Sequence, residues 1–220
     1  MIGVSYLLRP CATAPSRFRR LAARECGLVT PVRRNVALAA TAPVQLEQWI
    51  EFQGQLALLR PIRPDDLAQH RRFLARVTRE DMRMRFFTAI RELPLRDLER
   101  LTQVDYDRDM AFIVASQGGG SEETLGVARA CANADNSEAE IAVLVRSDLK
   151  GLGLGALLLK KLIRYCGVRG INRLTGQALA ENTRMLQLAR KLGFSLQPSG
   201  YDLVEMTLTL RRDTLRAARV

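Results

Sequence analysis

Histidine is nearly missing from this 220-residue chain, and its four cysteines form no C-x-x-C pair. The one histidine is His70, and the cysteines are Cys11, Cys26, Cys131 and Cys166. A zinc site with the usual ligand spacing is thereby excluded, as is a Cys/His catalytic pair with local support, so no metal is expected. The same cysteine usage makes a reduced, cytoplasmic compartment the simplest expectation. No apolar run approaches the roughly 18 residues of a membrane span, so no membrane partner is expected. His70 lies in the charged stretch Gln69-His70-Arg71-Arg72 and reads as a solvated helix residue.

Acidic residues are scarce at the two ends. Residues 1–46 carry seven arginines against Glu25, and residues 211–220 carry four against Asp213. These segments hold +6 and +3 of the formal net charge of +11, leaving the 164 residues between them close to neutral. A duplex-binding domain would place a basic stripe on its folded face, so nucleic acid is not expected to be a partner of the core. Arginine outnumbers lysine 30 to 4. The first 46 residues show no sustained period of 2 or 3.6. They read as a basic leader, mostly disordered or a remnant of a longer parent. An organelle transit peptide or an arm touching nucleic acid or an acidic partner stays open. Residues 47–210 read as one domain and 211–220 as a basic tail.

Within that domain a strand is expected over Gln55–Ile62. Pro64-Asp65-Asp66 then supplies helix-start chemistry. Helices follow through Leu67–Val77, Arg79–Phe86 and Pro94–Val104. Ala111–Ser116, Thr124–Cys131 and Glu138–Arg146 read as three antiparallel strands, with Gly118-Gly119-Gly120-Ser121 as a hairpin loop. The spacing of Leu154, Leu157, Leu158, Leu162 and Tyr165 predicts a helix over 153–166. A strand over Leu174–Ala180, a helix over Asn182–Leu192 and two strands around Phe194–Gln197 and Leu203–Leu210 complete a mixed α/β order.

The most informative segment joins the strand ending at Val145 to the helix after Gly153. Lys150-Gly151-Leu152-Gly153-Leu154-Gly155-Ala156 brings three alternating glycines into the first helical turn. Glycine admits backbone angles closed to other residues and lets a ligand lie on the chain. The N–H groups at the helix start, backed by the dipole, make a seat for phosphate or pyrophosphate. The alternative is that the glycines only pack the helix against the sheet. No Gly-Lys-Ser/Thr follows, and the spacing is not that of a dinucleotide fingerprint. An anion other than a dinucleotide fits better.

Lys150-x-x-Gly153-x-Gly155 resembles motif A of the GNAT N-acetyltransferase superfamily, with lysine where arginine or glutamine is usual. Ala180-Glu181-Asn182-x-x-Met185-x-x-x-Ala189-x-x-x-Gly193-Phe194 resembles motif B of the same superfamily. Leu59-Arg60-Pro61-Ile62-Arg63-Pro64-Asp65-Asp66, Met84-Arg85-Phe86-Phe87 and Leu101-Thr102-Gln103-Val104-Asp105-Tyr106-Asp107-Arg108-Asp109-Met110-Ala111 resemble the acetyltransferase domain of bacterial Pat-type protein lysine acetyltransferases. The resemblance covers residues 58–210. It implies a GNAT fold, a central mixed and mostly antiparallel sheet flanked by helices. It further implies transfer of acetyl from the co-substrate acetyl-CoA to an amine, most readily a protein lysine, an acyl-CoA synthetase among the candidate partners. In that family a second module often regulates the domain, but none fits in 46 residues and such regulation is not expected.

The resemblance assigns backbone hydrogen bonds with pantetheine to Val145 and places Leu144 in the CoA-binding set. It sets Lys150, Gly151, Leu152, Gly153, Leu154, Gly155 and Ala156 at the pyrophosphate. Asn182 is a favourable N-cap and, by resemblance, a CoA contact. Met185 joins the CoA-binding set, although with Ala189 and Leu192 it also reads as a core stripe. Ala189 occupies the position where many relatives carry a tyrosine acid, so the general acid is unassigned. Lysine is protonated at neutral pH, so the reaction needs a base, and the thioester oxygen needs a backbone N–H as it gains charge. Strand alternation puts Glu138, Glu140, Ala142 and Leu144 on one face. Glu140 is the candidate base and Glu138 the fallback; a solvated cross-strand charge is the bland reading. The acidic Asp105-Tyr106-Asp107 turn reads as either an attractor of basic peptides or a plain turn. A small-amine acetyltransferase, a non-catalytic acyl-CoA-binding module and an RNA- or ribosome-binding protein are the competing readings.

Overall fold

A computed structural model describes residues 41–89, 92–116, 122–200 and 202–210. The elements in chain order are β1 (Gln48–Phe52), β2 (Gln55–Pro61), α1 (Leu67–Ala75), α2 (Arg79–Phe86), α3 (Leu95–Thr102), β3 (Asp109–Ser116), β4 (Glu123–Ala132), β5 (Glu138–Val145), α4 (Leu154–Val168), β6 (Arg173–Leu179), α5 (Thr183–Lys191), β7 (Ser195–Pro198) and β8 (Leu203–Thr209). They form a mixed α/β fold around one eight-stranded sheet of order β1-β2-β3-β4-β5-β6-β8-β7. Every neighbouring pair is antiparallel except β5 and β6.

Helices cover both faces. The apolar stripe of α4 (Leu154, Leu158, Leu159, Leu162 and Cys166) packs with Leu186 and Ala189 of α5 against Phe112, Val114, Ala128, Ile141 and Leu174. Each leucine buried there contributes about 1.5–3 kcal/mol. On the other face Phe73, Met82, Phe86, Leu98 and Leu101, from α1, α2 and α3, close over Leu144. Because Leu144 faces these helices while Ala139 and Ile141 face α4, the expected alternation of β5 holds.

The parallel pair β5–β6 is matched only at Glu138–Arg173, Ala139–Leu174 and Glu140–Thr175. Beyond these positions β5 stays with β4 as far as Val145, and β6 stays with β8 as far as Leu179. The two strands therefore splay apart in mid-sheet. Gly176 stands where they part: a Cβ there would lie 3.2 Å from the Ile141 carbonyl oxygen and 3.1 Å from the Met206 methyl. Only glycine admits so close an approach without a shift of its neighbours.

Three expectations need correction. The strand over Gln55–Ile62 is preceded by an edge strand, β1, reached through the Gln53-Gly54 turn. His70 is not solvated but 2% exposed, stacked near Phe73 on the inner face of α1. Burial, reinforced by the positive charge of Arg129, pushes its pKa down to about 4, so the ring is neutral. In α5 the buried residues are Leu186 and Ala189, while Met185 is partly buried, packing against the core and also lining a cleft. Of the basic leader, residues 44–46 form a short 3-10 turn and Leu46 packs on the core. Residues 1–40, the 211–220 tail and the Gly118–Ser121 hairpin loop lie outside the described residues.

Candidate active site

The splay of β5 from β6 opens a cleft of about 520 Å³, a size typical of small-molecule sites. Its walls are the second half of β5, the loop and first turn leading into α4, the end of β6, one side of α5 and the last turn of α2. Glu140, Leu144, Val145, Lys150, Gly151, Gly153, Leu154, Gly155, Ala156, Asn182 and Met185 all line it. Leu152 does not; its side chain is 44% exposed.

Gly153 is the N-cap of α4, with φ at +88° in the left-handed region. A glycine has no side chain with which to cap, and the first helical bond runs from Leu157 N–H to the Gly153 carbonyl at 3.1 Å. The N–H groups of Leu154, Gly155 and Ala156 are thus left for a ligand at the cleft wall. A Cβ built on Gly151 or Gly153 would meet nothing within 4 Å. This cradle, at the positive end of a 15-residue helix, fits the pyrophosphate of a coenzyme A thioester.

Lys150 behaves differently from the simple expectation that its charge is open to the pyrophosphate. Its ammonium is bound to Asp81 of α2. Burial opposes ionisation of Asp81, but hydrogen bonds from Lys150, Ser147 and Thr78 outweigh it and hold the carboxyl below its usual range. Thr78 also donates its backbone N–H to Ser147 Oγ at 2.9 Å. At the other end of the cleft Arg83 pairs with Glu181, just before Asn182. Helix α2 is therefore tied to both loops that flank the splayed strands.

Asn182 caps α5, its Oδ1 accepting the Met185 N–H at 3.2 Å. Ala189 is fully buried, so the usual tyrosine position does not open on the cleft. Tyr106 and Tyr165 donate their hydroxyls to the carbonyls of Ile62 (2.8 Å) and Tyr106 (3.0 Å), away from it. The Asp105 carboxylate accepts three backbone N–H groups, from Asp107, Arg108 and Asp109, at 2.8–2.9 Å. Asp107 pairs with Arg169. Asp105 thus serves the turn itself, while Asp107 ties the turn to the end of α4.

Glu140 lies half-buried on β5, at the last position where β5 and β6 are paired. Burial pushes its pKa up, and the positive charge of Arg85 offsets part of that rise. Glu138 instead pairs with Arg173 at 2.6 Å near the sheet end and is not part of the cleft. Arg85 and Met84 of α2, Phe87 just after it and Gln177 of β6 complete the wall near Glu140. None of these four was identified as a site residue from sequence, because no local pattern links α2 to β5.

A splayed parallel pair, a glycine-rich loop at a helix start and a half-buried carboxylate thus share one cleft, an arrangement with the features an acyl-CoA-dependent transferase needs. The family profile described as an acetyltransferase (GNAT) domain matches residues 57–195. The chain belongs to the GNAT acetyltransferases. It is 31% identical to Acetyltransferase PA5475 of Pseudomonas aeruginosa over 158 residues, 71% of this chain and 85% of that protein. It is 26% identical to Acetyltransferase Pat of Mycolicibacterium smegmatis over 162 residues, 73% of this chain but 46% of that longer protein. Among solved structures, the GNAT domain of S. lividans PAT matches with a TM-score of 0.70 and 26% identity, covering 77% of this chain and all 100% of that one. Among the described residues no helix is long and apolar enough to cross a membrane.

Proposed function

We propose that this enzyme transfers the acetyl group of acetyl-CoA to the side-chain amine of a protein lysine, with Glu140 as the base. The observation that carries this is Glu140 itself, a half-buried carboxylate on the cleft wall with a raised pKa. Similarity to Pat and to the GNAT domain of S. lividans PAT supports a protein acceptor. The cysteine pattern of the sequence supports a cytoplasmic setting.

In this reading the Gly151–Ala156 cradle holds the pyrophosphate. Past Glu140, the edge of β5 that faces β6 has no strand partner, so its N–H and C=O groups are available to the pantetheine amides. The same edge supplies the N–H that a developing thioester oxyanion needs. Glu140 takes the ammonium proton, directly or through one water, and the freed amine attacks the thioester carbonyl. The thiolate that departs belongs to a thiol with a pKa of about 8.5, which makes a dedicated acid dispensable.

The discriminating experiment incubates the protein with labelled acetyl-CoA and a lysate from its own source, beside a panel of small amines. Label on one or a few proteins supports the proposal. Label confined to a small amine, or acetyl-CoA binding without transfer, overturns it. The Lys150–Asp81 pair gives a second expectation. Asp81→Asn keeps the side-chain shape but removes the charge that competes with the pyrophosphate for Lys150. Acetyl-CoA affinity by calorimetry should rise about two- to fivefold, equivalent to ~0.5–1 kcal/mol for a partly exposed pair.

A further inference from the structure

Arg85, Arg184 and Lys191 are charged residues of the cleft that the reaction as described does not use, and Arg184 and Lys191 are exposed. Arg85 sits in the last turn of α2, a helix held at both ends by Asp81–Lys150 and Arg83–Glu181. Its Nη1 is buried without a hydrogen-bond partner. The side chain lines the main cleft beside Glu140 and also a second, small cavity of about 20 Å³ shared with His70 and Arg129. A buried guanidinium nitrogen with nothing to bond is costly, so its retention in this wall asks for a reason.

The charged and titratable groups around the pair can be followed element by element. From β4, Arg129 is committed to Asp109 at 2.9 Å and to the Leu101 carbonyl at 2.5 Å. Asp109, from β3, is thereby matched with Arg129. Cys131, opposite Glu140 across the β4–β5 ladder, donates its thiol to Asp109 at 3.6 Å. From α1, His70 is neutral at physiological pH. From α2, Asp81 is taken by Lys150. From β6, the residue level with Glu140 is Thr175, which is uncharged. From α5, Arg184 and Lys191 line the cleft but are exposed. Arg85 and Glu140 are a less exposed cation and carboxylate facing the same cleft, each without a direct ion-pair partner among the described residues.

We propose that Arg85 is a positioning residue for Glu140, its buried guanidinium supplying the counter-charge that lets the carboxylate stand ionised in a desolvated wall. The inference deepens the assignment of Glu140 as base and rests on it for its catalytic meaning. Burial alone favours the protonated acid, which cannot accept the ammonium proton. A fixed cation that stops short of a direct salt bridge opposes that protonation while leaving the carboxylate oxygens open to the amine. Burial lowers the Arg85 pKa only to about 10, so the guanidinium stays charged throughout the working range. When the proton moves from the ammonium to Glu140, Arg85 keeps its own protons. The acid formed next to it then loses its proton readily, which resets the base for the next turnover.

The test reads Glu140 directly and needs no acceptor. In protein carrying carboxyl-13C glutamate, the Glu140 resonance is assigned by its loss in Glu140→Gln and titrated by NMR. Removing an opposite charge close to a carboxyl raises its pKa, by about one unit or more for a near neighbour. Arg85→Met is therefore expected to move the midpoint up by at least about one pH unit, and Arg85→Lys, which keeps the charge, to leave it near its starting value. Should Arg85→Met fail to fold, Arg85→Gln carries the same comparison. An unmoved midpoint in the neutral variants overturns the proposal. So does an unmoved acidic limb of kcat/KM together with a raised acceptor KM, which would make Arg85 a contact for an anionic group of the acceptor. Full activity in Glu140→Gln would instead defeat the base assignment, an outcome separable from the titration because the titration does not depend on turnover.

Discussion

Glu140→Gln should lower the rate of acetyl transfer by about 10²- to 10⁴-fold, the range a positioned general base contributes, and leave acetyl-CoA affinity unchanged. The substitution keeps side-chain volume and removes only the basic oxygen. Among the described residues Glu140 makes no direct ion pair, and it sits at the end of the β5–β6 pairing. The CoA cradle lies further along the chain, in backbone of Gly151–Ala156, and is untouched by the change. Steady-state kinetics and calorimetry on the same preparation separate the two effects. In the wild-type enzyme the raised pKa has a stated sign: activity is present while the carboxylate is ionised and falls as pH drops through a value above that of an exposed glutamate. Unchanged turnover in the glutamine variant would remove Glu140 from the mechanism.

Asp66→Ala should destabilise the domain by about 3–5 kcal/mol, the cost of stripping one partner from a buried ion pair. Arg60 and Asp66 side chains are 2% and 5% exposed and meet through two hydrogen bonds of 2.7 Å each. Burial opposes the charge on Arg60, but the bonds from Asp66 and Glu122 outweigh it and raise the guanidinium pKa. Asp66 also accepts the Arg63 N–H at 2.7 Å, fixing the turn that launches α1. Its loss leaves a buried guanidinium short of its main partner and the turn short of its acceptor. A drop in Tm of roughly 10 °C is expected for a domain of this size. The control is Arg71→Ala, whose pair with Glu92 is 69% and 76% exposed at 3.3 Å; surface pairs of this kind contribute at most about 1 kcal/mol. Equal losses in the two variants would mean that the buried pair has no special weight.

The likeness of Leu59–Asp66 to a family segment thus acquires a physical cause. Arg60 and Asp66 are six residues apart and clamp the end of β2 to the start of α1, so both ends of the clamp fall within one short stretch of sequence. Edge strand β1 lacked such a signal. Its residues run exposed or half-exposed, and Trp49 is 58% exposed, so no alternation marks it. The His70 expectation failed for a related reason. Its neighbours Arg71 and Arg72 are exposed, but His70 and Phe73 are one helical turn apart on the inner face. The character of adjacent residues says less about burial than spacing at i and i+3.

Lys150 is the most instructive residue of the site. Its place at the entrance to the glycine loop was legible, but not its state, because Asp81 lies 69 residues away in the chain. Arg85 is a parallel case, separated from Glu140 by α3, β3 and β4. By itself the sequence determined what depends on a few consecutive residues. The glycines of the loop, the alternation that turns Glu140 and Leu144 to one side of β5, and the apolar stripe of α4 all follow from backbone preferences and periodicity. Tertiary structure alone decided which charge answers which, where β5 and β6 part, and how far Glu140 is desolvated. Those properties depend on distance through space in a medium that screens charge poorly, and only folding brings α2 across the open cleft.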